Sequence, residues 1–362
     1  MTPWLADDRG ATRWLVLVGV ALVTLGYFVA EVVGERHQQA QAYARGVGVT
    51  REALHAGDLV HQLQAERGLT GGYLASRAAP AATEALARQR PLTDAALDTY
   101  RALADAEDAG PNKALEALAR GLAEQRSRVD ALALEPPAAA GWYTARVEAL
   151  AAEVLQLARF APDADASRQI ASYFYLVSAK EHYGRERGLV NAVLGSGKPL
   201  GEQGLRNLQA ITVRQAAFEA LLRATADPPD IALFDQALQS KESAAVVDMR
   251  NAVTELASRG DYPVPAAQWW AQASARMEAV KRVEDRIAAR LLASAQARAD
   301  ERLRDFRLAA VLGLLAAAAS AALAWRLVTG LPGAGQRRAA ARRVSGPAPA
   351  ATAAASRTAP PA

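Results

Sequence analysis

Two short segments of the sequence put the same charged group in the same place. Glu66-Arg67-Gly68-Leu69 recurs as Glu186-Arg187-Gly188-Leu189, 120 residues later, and at that offset Leu74 matches Leu194 and Ser76 matches Ser196. Alternating steps of three and four residues generate an apolar helical stripe around each copy. In the first it runs Val60, Leu63, Arg67, Thr70, Leu74. In the second it runs Tyr173, Leu176, Lys180, Tyr183, Arg187, Val190, Leu194. Both stripes therefore carry an arginine. A permanently charged guanidinium in a helix-bundle core is costly unless something compensates it. Two compensations are open. One is an internal carboxylate, with Glu66, Glu181 or Glu186 in reach. The other is an anion from solution. The flat fork of guanidinium donors grips two oxygens of a planar oxyanion at once, so such an anion is the natural ligand.

Other arginines lie close by. Arg185 precedes Arg187 by two residues and faces away from it on a helix. Its default partner is Glu181 at i,i+4, with the acid N-terminal. Arg88 and Arg90 fall at the expected start of the next helix, and spacing alone gives them no role.

The elements that must position these residues are helices. Ala, Leu, Arg, Glu and Gln dominate the middle of the chain, and alternating strand patterns are nearly absent. Breaks are expected at Ala78-Ala79-Pro80, Gly110-Pro111-Asn112, Pro136-Pro137, Ala161-Pro162-Asp163, Gly195 to Gly201, Asp227-Pro228-Pro229 and Tyr262 to Pro265. The repeat suggests two related bundles. Two uncharged apolar runs frame them: Trp14 to Ala30, extended by Val32 to Gly34, and Leu308 to Trp325. About 20 such residues cross a bilayer. No convincing cleavage site follows the first run, so an uncleaved span is expected rather than a signal peptide. The last 37 residues carry six arginines (Arg326, Arg337, Arg338, Arg342, Arg343, Arg357) and no acid, which places the tail inside. The expected organisation is a cytoplasmic segment 1–13, a membrane helix 14–34, an extracytoplasmic helical domain 35–307, a second membrane helix 308–326, and a basic disordered tail 327–362. The host membrane is the inner, or plasma, membrane.

Other chemistry finds little footing. The absence of cysteine excludes disulfide scaffolds, thiolate metal sites and cysteine nucleophiles. His55, Asp58 and His61 do not share a helical face, so no metal site is expected. Gly195-Ser196-Gly197-Lys198 lacks the leading glycine and preceding strand of a phosphate loop. Trp269-Trp270 could stack on a ligand, but such a pair more often packs in a core at a helix start. No Ser/His/Asp set stands out, so the chain is not read as an enzyme, and no cofactor is implied. The net charge of +4 is mostly that of the tail, which has no interleaved aromatics for nucleic acid.

The stretch Leu63-Gln64-Ala65-Glu66-Arg67-Gly68-Leu69-Thr70-Gly71-Gly72-Tyr73-Leu74 resembles the first signature of the nitrate- and nitrite-sensing (NIT) domain. Gln89-Arg90-Pro91-Leu92-Thr93-Asp94 is similar to the family's next helix. Ala179-Lys180-Glu181-His182-Tyr183-Gly184-Arg185-Glu186-Arg187-Gly188-Leu189 is similar to its second signature. The resemblance covers roughly residues 45–290. It implies an all-α fold of two packed four-helix bundles, here flanked by two transmembrane helices. It also implies a nitrate or nitrite site lined by Arg67, Arg185 and Arg187, with Arg90 as a further candidate, and a homodimer. Only the first half of a HAMP-like linker follows the second span, in Arg326-Leu327-Val328-Thr329-Gly330-Leu331-Pro332 and Ala339 to Val344, and no kinase or nucleotide-binding motif comes after. Output is therefore expected in a separate partner chain. The competing reading is a membrane-anchored scaffold with internally paired arginines and no small ligand.

Overall fold

The computed structural model describes residues 8–106 and 113–330. The expected Gly110-Pro111-Asn112 break, most of the basic tail with five of its six arginines, and the second part of the linker-like segment lie outside them. Among the described residues there are nine α-helices, one 3-10 turn (Ala158–Phe160) and no strand, as the all-helical reading requires. The helices are α1 (Asp8–Ala75), α2 (Pro80–Ala106), α3 (Lys113–Asp130), α4 (Pro136–Leu157), α5 (Ala164–Ser196), α6 (Gly201–Thr225), α7 (Pro228–Leu238), α8 (Lys241–Glu255) and α9 (Ala266–Gly330).

Proline marks many of the starts, because its missing N–H and fixed φ suit the first helical turn. Pro136-Pro137 and Pro228-Pro229 begin α4 and α7 in this way. The α5 helix is capped at both ends. Asp163 accepts from the Ala166 N–H (2.7 Å), and Gly197 closes the helix at φ 63° in the left-handed region. Two features depart from the sequence reading. Arg88 and Arg90 lie inside α2, not at its start, because the helix runs straight through Pro91. A break also separates α7 from α8, where the Ser240 hydroxyl accepts from the Ser243 N–H. A lone serine between periodic segments was too weak a signal to call a boundary.

The chain divides into two compact units. One is His37–Arg304; the other gathers described residues of Met1–Arg36 and Asp305–Ala362. The second unit holds the apolar runs of α1 and α9, each long and apolar enough to cross a membrane, with none of the apolar window buried. Val23 is 74% exposed and Leu314 is 72% exposed. Within that unit Gly313 lets the helices meet, since a Cβ there would lie 2.9 Å from Val29 Cγ1.

The first unit has a shared core and two separate ends. The largest apolar cluster draws on both halves of the sequence, from Leu59, Leu63, Tyr100 and Leu118 to Leu176, Phe234 and Ile287. Beyond it one small cluster joins α1 to α2, α3 and α4 (Tyr73, Leu74, Leu86, Val129, Ala139). Another joins α5, α6, α8 and α9 (Val190, Leu208, Val246, Met249, Val253, Trp269, Ala273). Two helix groups thus share a centre and part at one end, with α5 also packed on α4.

Candidate functional site

The two arginine-bearing stripes lie in the core as the spacing predicts. On α1, Val60, Leu63, Arg67, Thr70 and Leu74 are all buried. On α5, Tyr173, Leu176, Lys180, Tyr183 and Val190 are buried, and Arg187 and Leu194 are half-buried. The apolar members drive the helices together, and the charged members must then find partners in the low-dielectric interior.

Most of them do so within the chain. Glu66 is fully buried and accepts from Arg126 (2.8 and 2.9 Å) and from the Tyr143 hydroxyl (2.8 Å). Burial and the Glu66 charge push the Tyr143 phenol well up. Glu186, at the matching position of the repeat, is also fully buried. It accepts from Arg276 at 2.6 Å and lies 3.4 Å from Arg250. Buried Lys180 pairs with buried Glu284. Arg67 is held by Glu181 through both terminal nitrogens, Nη1 to Oε1 at 2.5 Å and Nη2 to Oε2 at 2.9 Å. Gln64 donates to the same carboxylate (3.0 Å), and Thr144 of α4 accepts from Arg67 (2.8 Å).

Arg187 differs. Among the described residues no carboxylate lies within ion-pair distance of it. Its Nη1 donates to the Ser274 hydroxyl at 2.9 Å, its guanidinium lies 4.3 Å from the Trp270 ring centroid, and its Nε is buried with no acceptor. Its pKa is pulled down to about 10, first by burial and then by the positive charge of Arg67, with Glu278 opposing in part. The two arginines are close neighbours for a steric reason. Each guanidinium lies over a glycine of the other helix: a Cβ on Gly68 would meet Arg187 Nη2 at 3.4 Å, and one on Gly184 would meet Arg67 Nη2 at 3.3 Å. The arrangement is two converging guanidinium groups, one internal carboxylate and an aromatic wall. Its net charge is one positive.

The structure therefore brings Arg67 and Arg187 together and places Arg185 and Arg90 elsewhere. Arg185 pairs with Glu148 of α4 at 2.7 Å. Its expected partner, Glu181, is engaged by Arg67 instead. Arg90 makes a two-pronged contact with Asp130 of α3 at 2.9 and 2.7 Å. Ser274 of α9 and Thr144 of α4 join the site although spacing does not nominate them, and Trp270 of α9 joins it by its stacking face. Trp269 does pack as expected, fully buried, with its indole N–H donating to the Arg187 carbonyl (3.0 Å). Trp270 does not merely pack, since its ring faces the guanidinium. An arginine four residues from a tryptophan is a readable cation–π pattern on one helix, but these two lie 83 positions apart.

Comparison with known proteins shows the family of the chain. The chain is 26% identical over 245 residues to the nitrate regulatory protein of Klebsiella oxytoca, across 66% of this chain and 61% of that one. It thus spans about three-fifths of that relative's length. The solved structure of the NasR transcription antiterminator superposes with a TM-score of 0.63 at 22% identity, covering 88% of this chain and 87% of that one. That likeness is one of fold. The family described as nitrate and nitrite sensing matches residues 58–292, which include Arg67, Glu181, Arg187, Trp270 and Ser274. The chain belongs to the nitrate- and nitrite-sensing (NIT) family.

Proposed function

We propose that this chain is a membrane-anchored sensor that binds one nitrate or nitrite ion between Arg67 and Arg187. The observation that carries the reading is Arg187, a half-buried guanidinium beside a second guanidinium, without an acid of its own among the described residues. The scaffold reading accounts for Arg67, whose charge Glu181 already neutralises. It leaves the Arg187 charge unexplained. Regulation by a nitrate protein relative and the family's sensing role support the choice of ligand. Arg185 and Arg90 act in this reading as supports, tying α5 to α4 and α2 to α3.

The exposed apolar runs of α1 and α9 are the membrane anchors, with the helical unit outside and both chain ends inside, the orientation that the arginine-rich segment after the second run favours. Anion binding draws α1, α5 and α9 together, because Trp270 and Ser274 reach Arg187 from α9. The apolar run of the second span lies further along that same helix. Output passes to a separate chain, and the receptor works as a dimer.

The cysteine-free sequence offers a direct test. Val29→Cys with Gly313→Cys places two thiols on helices that touch in the apolar unit. In reconstituted vesicles nitrate should change their disulfide cross-linking rate, and the change should vanish with Arg187→Met. An equal rate with and without saturating nitrate would refute transmission.

A further inference from the structure

We propose that Glu181 is a tethered competitor for the anion, and that it moves between Arg67 and Arg185 as the site empties and fills. The inference rests on the nitrate or nitrite reading of the site and adds its regulation. A carboxylate and a nitrate ion are alike in what an arginine fork sees: planar, with negative charge shared between equivalent oxygens. Glu181 takes both terminal nitrogens of Arg67, the donors that a planar anion would need. Arg67 is consequently neutral as a pair, and Arg187 alone lacks a counter-charge. An arriving anion that engages both arginines must displace Glu181.

The displaced carboxylate has a landing place on its own helix. Arg185 lies four residues further along α5, in the acid-first order that favours an i,i+4 pair. Its present partner, Glu148, is 49% exposed and can return to water at little cost. Gln64 donates to Glu181 in its present place, a bond the carboxylate gives up when it moves. The exchange loses no ion pair and gives Arg187 one it lacked. Arg67 trades Glu181 for the anion, and Arg185 trades Glu148 for Glu181. The device raises selectivity, because only an anion that matches the two-pronged geometry can outbid a carboxylate held at high effective concentration.

The test is a nitrate titration of the full chain in detergent by calorimetry, for wild type, Glu181→Gln, Arg185→Gln and the double variant. Glu181→Gln keeps the shape but removes the competing charge, so nitrate should bind roughly tenfold more tightly or better, and acetate should begin to compete. Arg185→Gln should weaken nitrate severalfold in the wild-type background and have no effect once Glu181 is Gln. That non-additivity separates a landing site from a residue that touches the ion. If Glu181→Gln does not fold, Glu181→Asp, whose shorter arm holds Arg67 less well, should also tighten binding. Wild-type binding that needs Arg187 but is unchanged or weakened in the Glu181 variants overturns the competitor and leaves the ligand reading standing. No saturable binding to any folded variant overturns both.

Discussion

Replacing Arg187 by methionine removes one charge from the interior and should separate ligand binding from stability. A guanidinium drawn from its ordinary value down to about 10 carries, in its charged form, roughly 3 kcal/mol of unfavourable free energy at about 1.4 kcal/mol per pH unit. The sign is set by linkage. At neutral pH the group is protonated in folded and unfolded chains alike, so the full penalty is present there. It is relieved only as pH rises through about 10, where the folded chain releases its proton before the unfolded one does. Methionine removes the penalty but also the Trp270 contact, worth about 1 kcal/mol, and the Ser274 hydrogen bond, worth about 2 kcal/mol for a charged donor. These nearly cancel. The anion-free variant should therefore unfold within about 4 °C of wild type, taking roughly 2–4 °C per kcal/mol for a unit of this size. Arg276→Met is the contrast. It leaves fully buried Glu186 with only the longer Arg250 contact and should cost about 3–5 kcal/mol. Nitrate at a hundred times its dissociation constant should stabilise wild type by about 2.7 kcal/mol, or roughly 5–10 °C, and the Arg187 variant not at all. Thermal unfolding of the full chain in chloride-free detergent buffer, followed by far-UV circular dichroism, reads all three. A methionine variant that loses more than about 3 kcal/mol without ligand, or that keeps the nitrate shift, would refute the claim that Arg187 waits for an anion.

Three further outcomes follow from the same geometry. Arg67→Met strands the buried Glu181 carboxylate and should cost about 3–5 kcal/mol, while adding Glu181→Met should recover most of it in a double-mutant cycle of unfolding midpoints. Gly57→Ala puts a Cβ 2.1 Å from the Tyr173 hydroxyl, where α1 crosses α5, and should lower stability by about 1–3 kcal/mol in denaturant titration. Trp270→Phe keeps an aromatic wall but removes the indole beside Arg187, so nitrate should change intrinsic fluorescence in wild type and change it much less in the variant.

Much of this arrangement was legible in the sequence, for a definite reason. Stripe membership depends only on local helical period, so Leu63, Arg67 and Thr70, and Tyr183 and Val190, fall inside as their spacing requires. Pairing depends on which helices meet, and local spacing cannot decide that. Glu181 has a plausible partner four residues away in Arg185, yet the two-pronged contact with Arg67, 114 residues distant, prevails in the buried setting. Glu186 lies beside Arg187 in sequence but faces Arg276 and Arg250 across the bundle, which is why Arg187 is left without it. Gly184 shows the same limit. The repeat matches Gly68 with Gly188, but close approach to an arginine occurs at Gly68 and Gly184. The break at Ser240 and the continuity of α2 through Pro91 were hidden because single residues carry weak boundary signals.

Calorimetric titration of the folded wild-type chain with nitrate, nitrite, chloride and sulfate tests the central claim most directly. Saturable binding of one nitrate or nitrite per chain, with chloride and sulfate silent, is the predicted result. No heat of binding from any of the four, with helicity confirmed in the same sample, would contradict it.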